Sequence, residues 1–238
     1  MSTITKDFSL ERHAIRLEVS PEYLFMPNAV TRSFSKVVRI NPGDRVFDIG
    51  SGVGPLAVWS ALEPSNEVHA VEIVPAQYEL LGRNVGRNGL RGKVRCYRGS
   101  FFEPIPAGLK ANVIIADVSG IADGPARALG WYPPEIPTGG DDGTGVIVPL
   151  LEQAGPYLAE GGRLYFPVAV DLSASERIMD AARSKFGKLE RVTRHNFPLT
   201  PEQVGAMGSF SDLPYVNLQK RGTRTTWRGE IYEATEPK

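Results

Sequence analysis

Three glycines and two acids carry the first chemistry legible in this chain. Val46-Phe-Asp-Ile-Gly-Ser-Gly-Val-Gly-Pro55 is an apolar run that includes Asp48 and turns through Gly50, Ser51, Gly52 and Gly54 toward helix-forming residues. Glycine at such positions permits positive φ and lets the backbone approach a ligand closely. A dinucleotide fingerprint needs its third glycine at position 55, which is Pro55 here, and no Gly-Lys-Ser/Thr follows, so a P-loop is excluded. A second acid, Glu72, stands 22 residues beyond Gly50 at the end of the next apolar run. A carboxylate at such a strand end can accept both ribose hydroxyls of a bound nucleoside.

The Asp-x-Gly-x-Gly-x-Gly spacing resembles the first motif of class I S-adenosylmethionine-dependent methyltransferases. The resemblance continues through Arg98-Gly-Ser-Phe101, Ala116-Asp-Val-Ser119 and Leu158-Ala-Glu-Gly-Gly-Arg-Leu164, so it covers roughly residues 40 to 235. It implies that S-adenosylmethionine is the methyl donor and that the glycine loop cradles its methionyl end. The cofactor contacts it implies are Asp48, Gly50, Ser51, Gly52, Gly54, Glu72, Ile73, Ser100, Phe101 and Asp117. Ile136-Pro-Thr-Gly-Gly-Asp-Asp-Gly-Thr144 is similar to the branch holding protein-glutamine and ribosomal-RNA guanine methyltransferases. Two departures stand out. Ser100 occupies a position where the family often has an acid for the adenine amine, which leaves a hydroxyl or neighbouring backbone for that contact. Asp117-Val-Ser-Gly120 stands where amine-methylating branches carry Asn-Pro-Pro-Tyr, which argues against planar amide or adenine-amine acceptors.

Methyl transfer from a sulfonium is an in-line displacement, so alignment of nucleophile, methyl and sulfur and exclusion of water dominate. A hydroxyl or protonated amine acceptor also needs a base, a contribution of about a hundred- to ten-thousandfold. Asp117 is the candidate catalytic residue, since ligands of open parallel sheets bind beyond the carboxyl ends of the strands. His195 is a second possible base, although a structural or surface role is the simpler reading for it. Tyr23, Phe25 and Asn28 ahead of the core, and Trp131 and Tyr132 in the segment Ser119–Asp142, are the candidate substrate contacts. Aromatic loops, balanced charge and no appended nucleic-acid module point to a small-molecule acceptor. A protein side chain or RNA base is the alternative, and a non-methylating binder of the same cofactor is a third reading.

These residues need a scaffold that brings strand ends together. From residue 44 short β-branched runs alternate with longer helical ones, the pattern of a doubly wound α/β domain with a mostly parallel sheet. Strands are expected at Arg45–Ile49, Val68–Ile73, Val94–Tyr97, Val113–Ala116 and Arg163–Val170. Helices are expected at Val53–Leu62, Pro75–Asn88, Thr144–Leu158 and Ser173–Phe186, the last opened by a Ser173/Glu176 capping box. Lys188–Phe197 and Trp227–Ala234 complete a seven-stranded Rossmann-like sheet as antiparallel C-terminal strands. Residues 1–40 read as an arm or lid, 41–238 as the core, and the whole as one domain.

Composition narrows the class. With 42% hydrophobic and 23% charged residues the chain is globular, and 27 Lys and Arg against 27 Asp and Glu give no global field for nucleic acid. One cysteine, Cys96, forms no internal disulfide, and the opening residues lack a signal-peptide core, so cytoplasm is expected. No run approaches the ~18 apolar residues that read as a membrane span. No His, Cys or carboxylate spacing suggests a metal site, and the sequence carries no signal for an oligomeric state.

Overall fold

The computed structural model describes residues 2–20, 26–65 and 67–238. Tyr23 and Phe25 therefore lie outside the described residues. The element order is β1 (Ile4–Leu10), β2 (His13–Val19), α1 (Ala29–Val37), β3 (Arg45–Ile49), α2 (Pro55–Leu62), β4 (Glu67–Glu72), α3 (Pro75–Arg87), β5 (Val94–Arg98) and β6 (Ala111–Ile115). It continues with α4 (Asp123–Ala128), α5 (Ile147–Ala154), β7 (Leu158–Ala169), α6 (Ser175–Lys185), β8 (Phe186–Pro198), α7 (Pro201–Ala206), β9 (Gln219–Arg221) and β10 (Arg224–Pro237).

The main sheet runs β5-β4-β3-β6-β7-β10-β8. Its first five members are mutually parallel, and β10 is antiparallel to both β7 and β8. This is the expected α/β architecture with one addition: the short β9 pairs with β10 and makes an eighth strand. Strand order reverses between β3 and β6, so their carboxyl ends diverge into the crevice where open sheets bind ligands.

Period-two alternation builds two cores from the same strands. Val46, Val68, Val113 and Ile115 join one cluster with Leu56, Leu80, Leu81 and Phe34, so α1, α2 and α3 cover that face. Phe47, Val71, Ile114, Leu164 and Phe166 join the other with Ile147, Leu150, Leu151 and Ile178, under α5 and α6. Because both faces are covered, the inner strands are mostly apolar rather than alternating with solvent-facing polar residues.

The residues read as an arm begin with a hairpin. β1 and β2 pair in full antiparallel register from Ile4–Val19 to Leu10–His13. Leu10, Ile15, Leu17 and Val19 are buried in the first cluster, so the period-two spacing of these residues buries one face of the hairpin against the core. The next correction concerns α6. Ser173 does not cap it: the serine hydroxyl donates to Ala169 O (2.9 Å), and Ala174 N donates to Asp142 O (2.7 Å). Glu176 is free to meet Arg183 at 3.7 Å instead. The segment Ser119–Asp142 contains the short helix α4, and α5 ends at Ala154, where Gly155-Pro156 tightens into a 3₁₀ turn.

Leu151 is fully buried between α5 and the sheet. Leu151→Ala is expected to cost about 2–5 kcal/mol, measured as a lower urea midpoint with an unchanged slope.

Candidate functional site

The glycine loop is built by hydrogen bonds that only a bent backbone can make. Gly50 N and Ser51 N both donate to Val71 O at 2.9 Å, so the chain leaving β3 folds back over the end of β4. Gly50, Gly52 and Gly54 have φ of 75°, 58° and 93°, all in the left-handed region. A side chain at Gly50 would also place its Cβ 2.5 Å from Val118 Cγ1. Gly54 precedes α2, and Pro55 takes the first helical position, where its missing N–H costs nothing.

Glu72 closes the loop from the side. Its Oε2 accepts from Gly52 N at 2.7 Å, and its Oε1 accepts from Val74 N at 2.7 Å and Gln77 Nε2 at 3.5 Å. Burial holds its carboxyl above the usual carboxylate range, and the amide donors pull the other way. Ile73, next in sequence, is 53% exposed despite its size. Ile73, Ser100 and Phe101 line the same cavity, and Phe101 has a φ of 45°, uncommon for a non-glycine residue.

Two further acids sit at the neighbouring strand ends. Asp48 is buried, and its Oδ2 has no hydrogen-bond partner among the described residues. Burial first, then the charges of Asp117 and Glu72, push its carboxyl up to about 8. Asp117, after β6, is pushed up to about 6 by burial and restrained by Thr31, whose hydroxyl donates to Asp117 Oδ2 at 2.7 Å. Thr31 is placed by Asn28. The Asn28 side chain accepts from Val30 N and Thr31 N at the start of α1, and Asn28 N donates back to Thr31 Oγ1 at 3.4 Å. Asp48, Ser51, Thr31 and Asp117 also line a pocket of about 30 Å³, room for about one water.

A cavity of about 670 Å³ connects Glu72 and Ile73 to Asp117 and on to an aromatic wall. Trp131 and Trp227 lie 5.4 Å apart, Phe197 stacks on Trp227 at 4.7 Å, and His195 follows Phe197 at 5.8 Å. Gly229 makes this stack possible, since a Cβ there would lie 2.8 Å from Phe197 Cε2. Burial pushes the Tyr132 phenol up to about 12, against the pull of a Ser119 hydrogen bond. His195 is exposed on the cavity rim, with Nε2 3.1 Å from Thr193 Oγ1. Glu230 is buried on the same side and holds the Tyr232 hydroxyl, Arg191 and Arg194.

Of the residues singled out in the sequence, Asn28, Gly50, Gly52, Glu72, Ile73, Ser100, Phe101, Asp117, Trp131, Tyr132 and His195 line this cavity, Asp48 and Ser51 line the small pocket instead, and Gly54 lines neither. Asn28 lines the cavity while its side chain caps α1. Sequence reasoning missed Thr31, Phe197, Trp227 and Glu230. The last three occupy strands β8 and β10, and the signal for Trp227 and Gly229 was a large residue and a glycine at period two, pointing to one face. Among the described residues no cluster of His, Cys, Asp or Glu could hold a metal, and no helix is long and apolar enough to cross a membrane.

Comparison with known proteins sharpens the picture. The chain is 34% identical over 173 residues to a ribosomal protein L11 methyltransferase of Pelotomaculum thermopropionicum, a match covering 65% of this chain and 53% of that one. It is 27% identical to a release factor glutamine methyltransferase of Thermosynechococcus vestitus, covering 75% and 65%. A ribosomal protein uL3 glutamine methyltransferase of Bradyrhizobium diazoefficiens is 32% identical over 51% of this chain and 39% of its own. The chain therefore spans less than two thirds of the length of these curated relatives. No family profile matches it. Among solved structures, a Methanocaldococcus jannaschii tRNA m1G37 methyltransferase superposes with a TM-score of 0.62 at 13% identity, covering all of this chain and 56% of that one. A precorrin-6y C5,15-methyltransferase of Geobacter metallireducens follows at 0.53 and 14%, covering 89% and 90%. Structures so distant in sequence share the Rossmann-like methyltransferase fold, and since one is a tRNA methyltransferase and the other a precorrin methyltransferase, the fold does not choose the acceptor.

The family resemblance read from the glycine loop is borne out by these relatives. The small-molecule partner is not. The curated relatives named here are methyltransferases of ribosomal proteins and release factors, so the expectation of a small acceptor is corrected. Aromatic loops and neutral net charge were too general to separate a small ligand from a side chain presented by a macromolecule.

The buried acids give the fold a pH signature. Asp48 and Asp117 titrate in the folded chain at about 8 and about 6, above their ordinary 3.8. Between those values the folded chain holds more protons than the unfolded one, so their contribution to stability is full at the acid end and is lost as pH rises through about 6 and about 8. Asp48→Asn is expected to flatten that loss. Melting temperatures measured from about pH 4 to about pH 8 should diverge in favour of the variant as pH rises; parallel curves would refute the assignment.

Proposed function

We propose that this chain, a member of the class I S-adenosylmethionine-dependent methyltransferases, transfers a methyl group from S-adenosylmethionine to a nitrogen of a protein side chain. The observation that carries the reading is the continuity of one cavity, from the glycine loop and Glu72 past Asp117 to the aromatic wall. A donor and an acceptor group can meet inside it without crossing bulk water.

The residues present fit the donor. Gly50 leaves the space that a Cβ would fill against Val118, and Asp48 keeps an unpartnered buried oxygen beneath the loop. Asp48, Ser51 and the three glycines would hold the amino-acid end. Glu72 accepts two short amide bonds, and a carboxylate has about four lone-pair sites, so it can still accept ribose hydroxyls. Ile73 and Phe101 would flank the base, with the Ser100 hydroxyl near its rim. When bound, the donor supplies an electrophilic methyl on a sulfonium.

Asp117 orients the acceptor and accepts its proton. With its carboxyl near 6 it is mainly ionised at neutral pH, and Thr31 fixes one of its oxygens. An amine suits this site better than an amide. Asp117-Val-Ser-Gly120 offers a carboxylate where an amide-binding Asn-Pro-Pro-Tyr is missing, and aromatic faces with nearby carboxylates attract a cationic nitrogen before it loses its proton. Trp131 and Tyr132 wall the acceptor end, with Asn28 acting through the α1 cap. We read residues 41–238 as the catalytic core and residues 1–40 as an arm whose Thr31 reaches the site, the whole working as one domain. Relatives named for translation proteins support a cytoplasmic place of action.

The test pairs binding with label transfer. S-adenosylmethionine should bind by calorimetry, and Glu72→Ala should weaken it about tenfold or more, equivalent to at least about 1.4 kcal/mol. Incubated with ribosomes and release factors and labelled donor, the chain should place label in material sensitive to protease and resistant to ribonuclease. Label in RNA, or no label with any macromolecule, would overturn the acceptor assignment.

A further inference from the structure

The aromatic wall of the cavity stands on a segment with little regular structure, Gly130 to Ile136. Two of its residues, Pro133 and Pro134, have no backbone N–H to donate. Its own backbone bonds are few: Gly130 N reaches Arg127 O at 3.0 Å, Trp131 N reaches Ala126 O at 3.3 Å, and Ile136 N reaches Pro133 O at 3.0 Å. Three of its carbonyls converge on one side chain. Arg127 Nη1 donates to Tyr132 O at 3.1 Å and to Pro133 O at 2.5 Å, and Nη2 donates to Ile136 O at 3.1 Å. The Nε of the same guanidinium donates to Asp123 Oδ1 at 3.2 Å.

We infer that Arg127 is the positioning residue that fixes the acceptor end of the cavity by clasping the carbonyls behind Trp131 and Tyr132. The inference rests on the reading of that cavity as the acceptor site. A planar fork with five donors can bind several carbonyls at once, whereas a lysine supplies a single point of charge. Asp123 aims the fork. It also accepts from Thr138 Oγ1 at 2.8 Å, and Asp123 N donates to Gly140 O at 2.8 Å, so the clasp is tied to the glycine-rich turn that follows. That turn is dense. A Cβ at Gly139 would lie 2.7 Å from both Gly143 Cα and Ile121 O, so the anchor has little room to drift. On the other side Trp131 packs against Trp227 of β10. Arg127 thus links the end of α4 to the wall, and it does so without lining the cavity itself.

Arg127 is part-exposed, with a side chain 33% accessible, so substitutions there should fold. The test compares Arg127→Gln and Arg127→Lys with the unchanged chain. The Trp131–Trp227 pair should give a circular-dichroism exciton signal, identified by its loss in Trp131→Phe. Both Arg127 variants should lose most of that signal and keep S-adenosylmethionine affinity within about twofold. Once the acceptor is identified, both should raise its KM about tenfold or more, with a smaller change in kcat, because misplacement by about 1 Å can cost about a hundredfold. A full signal and unchanged KM in Arg127→Gln would overturn the inference, and so would rescue by lysine, which would make Arg127 only the partner of Asp123. Failure of the unchanged chain to bind the donor would instead sink the methyltransferase reading, and the exciton comparison would still decide whether Arg127 sets the wall.

Discussion

The site depends on one buried carboxylate gripping the backbone of a glycine-rich loop. Glu72 accepts from Gly52 N and Val74 N at 2.7 Å each. A loop with three left-handed glycines carries a large conformational entropy cost, and the two charge-assisted bonds offset part of it. Each such bond contributes roughly 1.5–3 kcal/mol. The same carboxylate therefore shapes the cradle and faces the cavity. This explains why an acid is placed where burial disfavours its charge.

Placing three acids around one turn has an electrostatic consequence. Asp48 and Asp117 both resist ionisation, and the charge of Asp117 is one reason that Asp48 does. The Asp117 carboxylate is fixed by a hydroxyl from α1, that of Thr31. The crevice is thus poised for cationic ligands, whose arrival would relieve the repulsion among the acids. On the proposed reading, such a site would suit a sulfonium donor and an amine acceptor better than an anionic pair.

The cradle was legible in the sequence because its constraints are local. Gly50, Gly52 and Gly54 announce left-handed backbone, Pro55 announces a helix start, and Glu72 falls at the next strand end by the period of the βαβ unit. The parallel strands were equally plain, with Arg45–Ile49 matching to the residue and the others shifted at their ends by a few positions. The rest was hidden for physical reasons. Ser173 has the right spacing to cap α6, yet its hydroxyl bonds Ala169 O, since Gly143 packs against it and Asp142 O supplies the helix start. The hairpin β1–β2 has a clear alternation, Phe8, Leu10, Ile15, Leu17 and Val19, but its partner surface is tertiary. Thr31 reads as an ordinary helix residue until α1 is docked, at which point its hydroxyl meets Asp117.

The two ends of the cavity differ in how they are built, and that difference accounts for what the fold can specify. The donor end is backbone: turned glycines, strand termini and amide donors whose geometry follows from the parallel sheet itself. The far end is side chain: Trp227 and Phe197 from antiparallel strands, packed against Gly229, and Trp131 and Tyr132 from a segment with two prolines. Backbone geometry persists as long as the fold does, so proteins at 13% identity keep the cradle's scaffold. Ring positions depend on individual residues such as Arg127 and Gly229, and a single replacement can reshape them without touching the sheet. On the proposed reading, the donor would follow from the architecture and the acceptor from the wall.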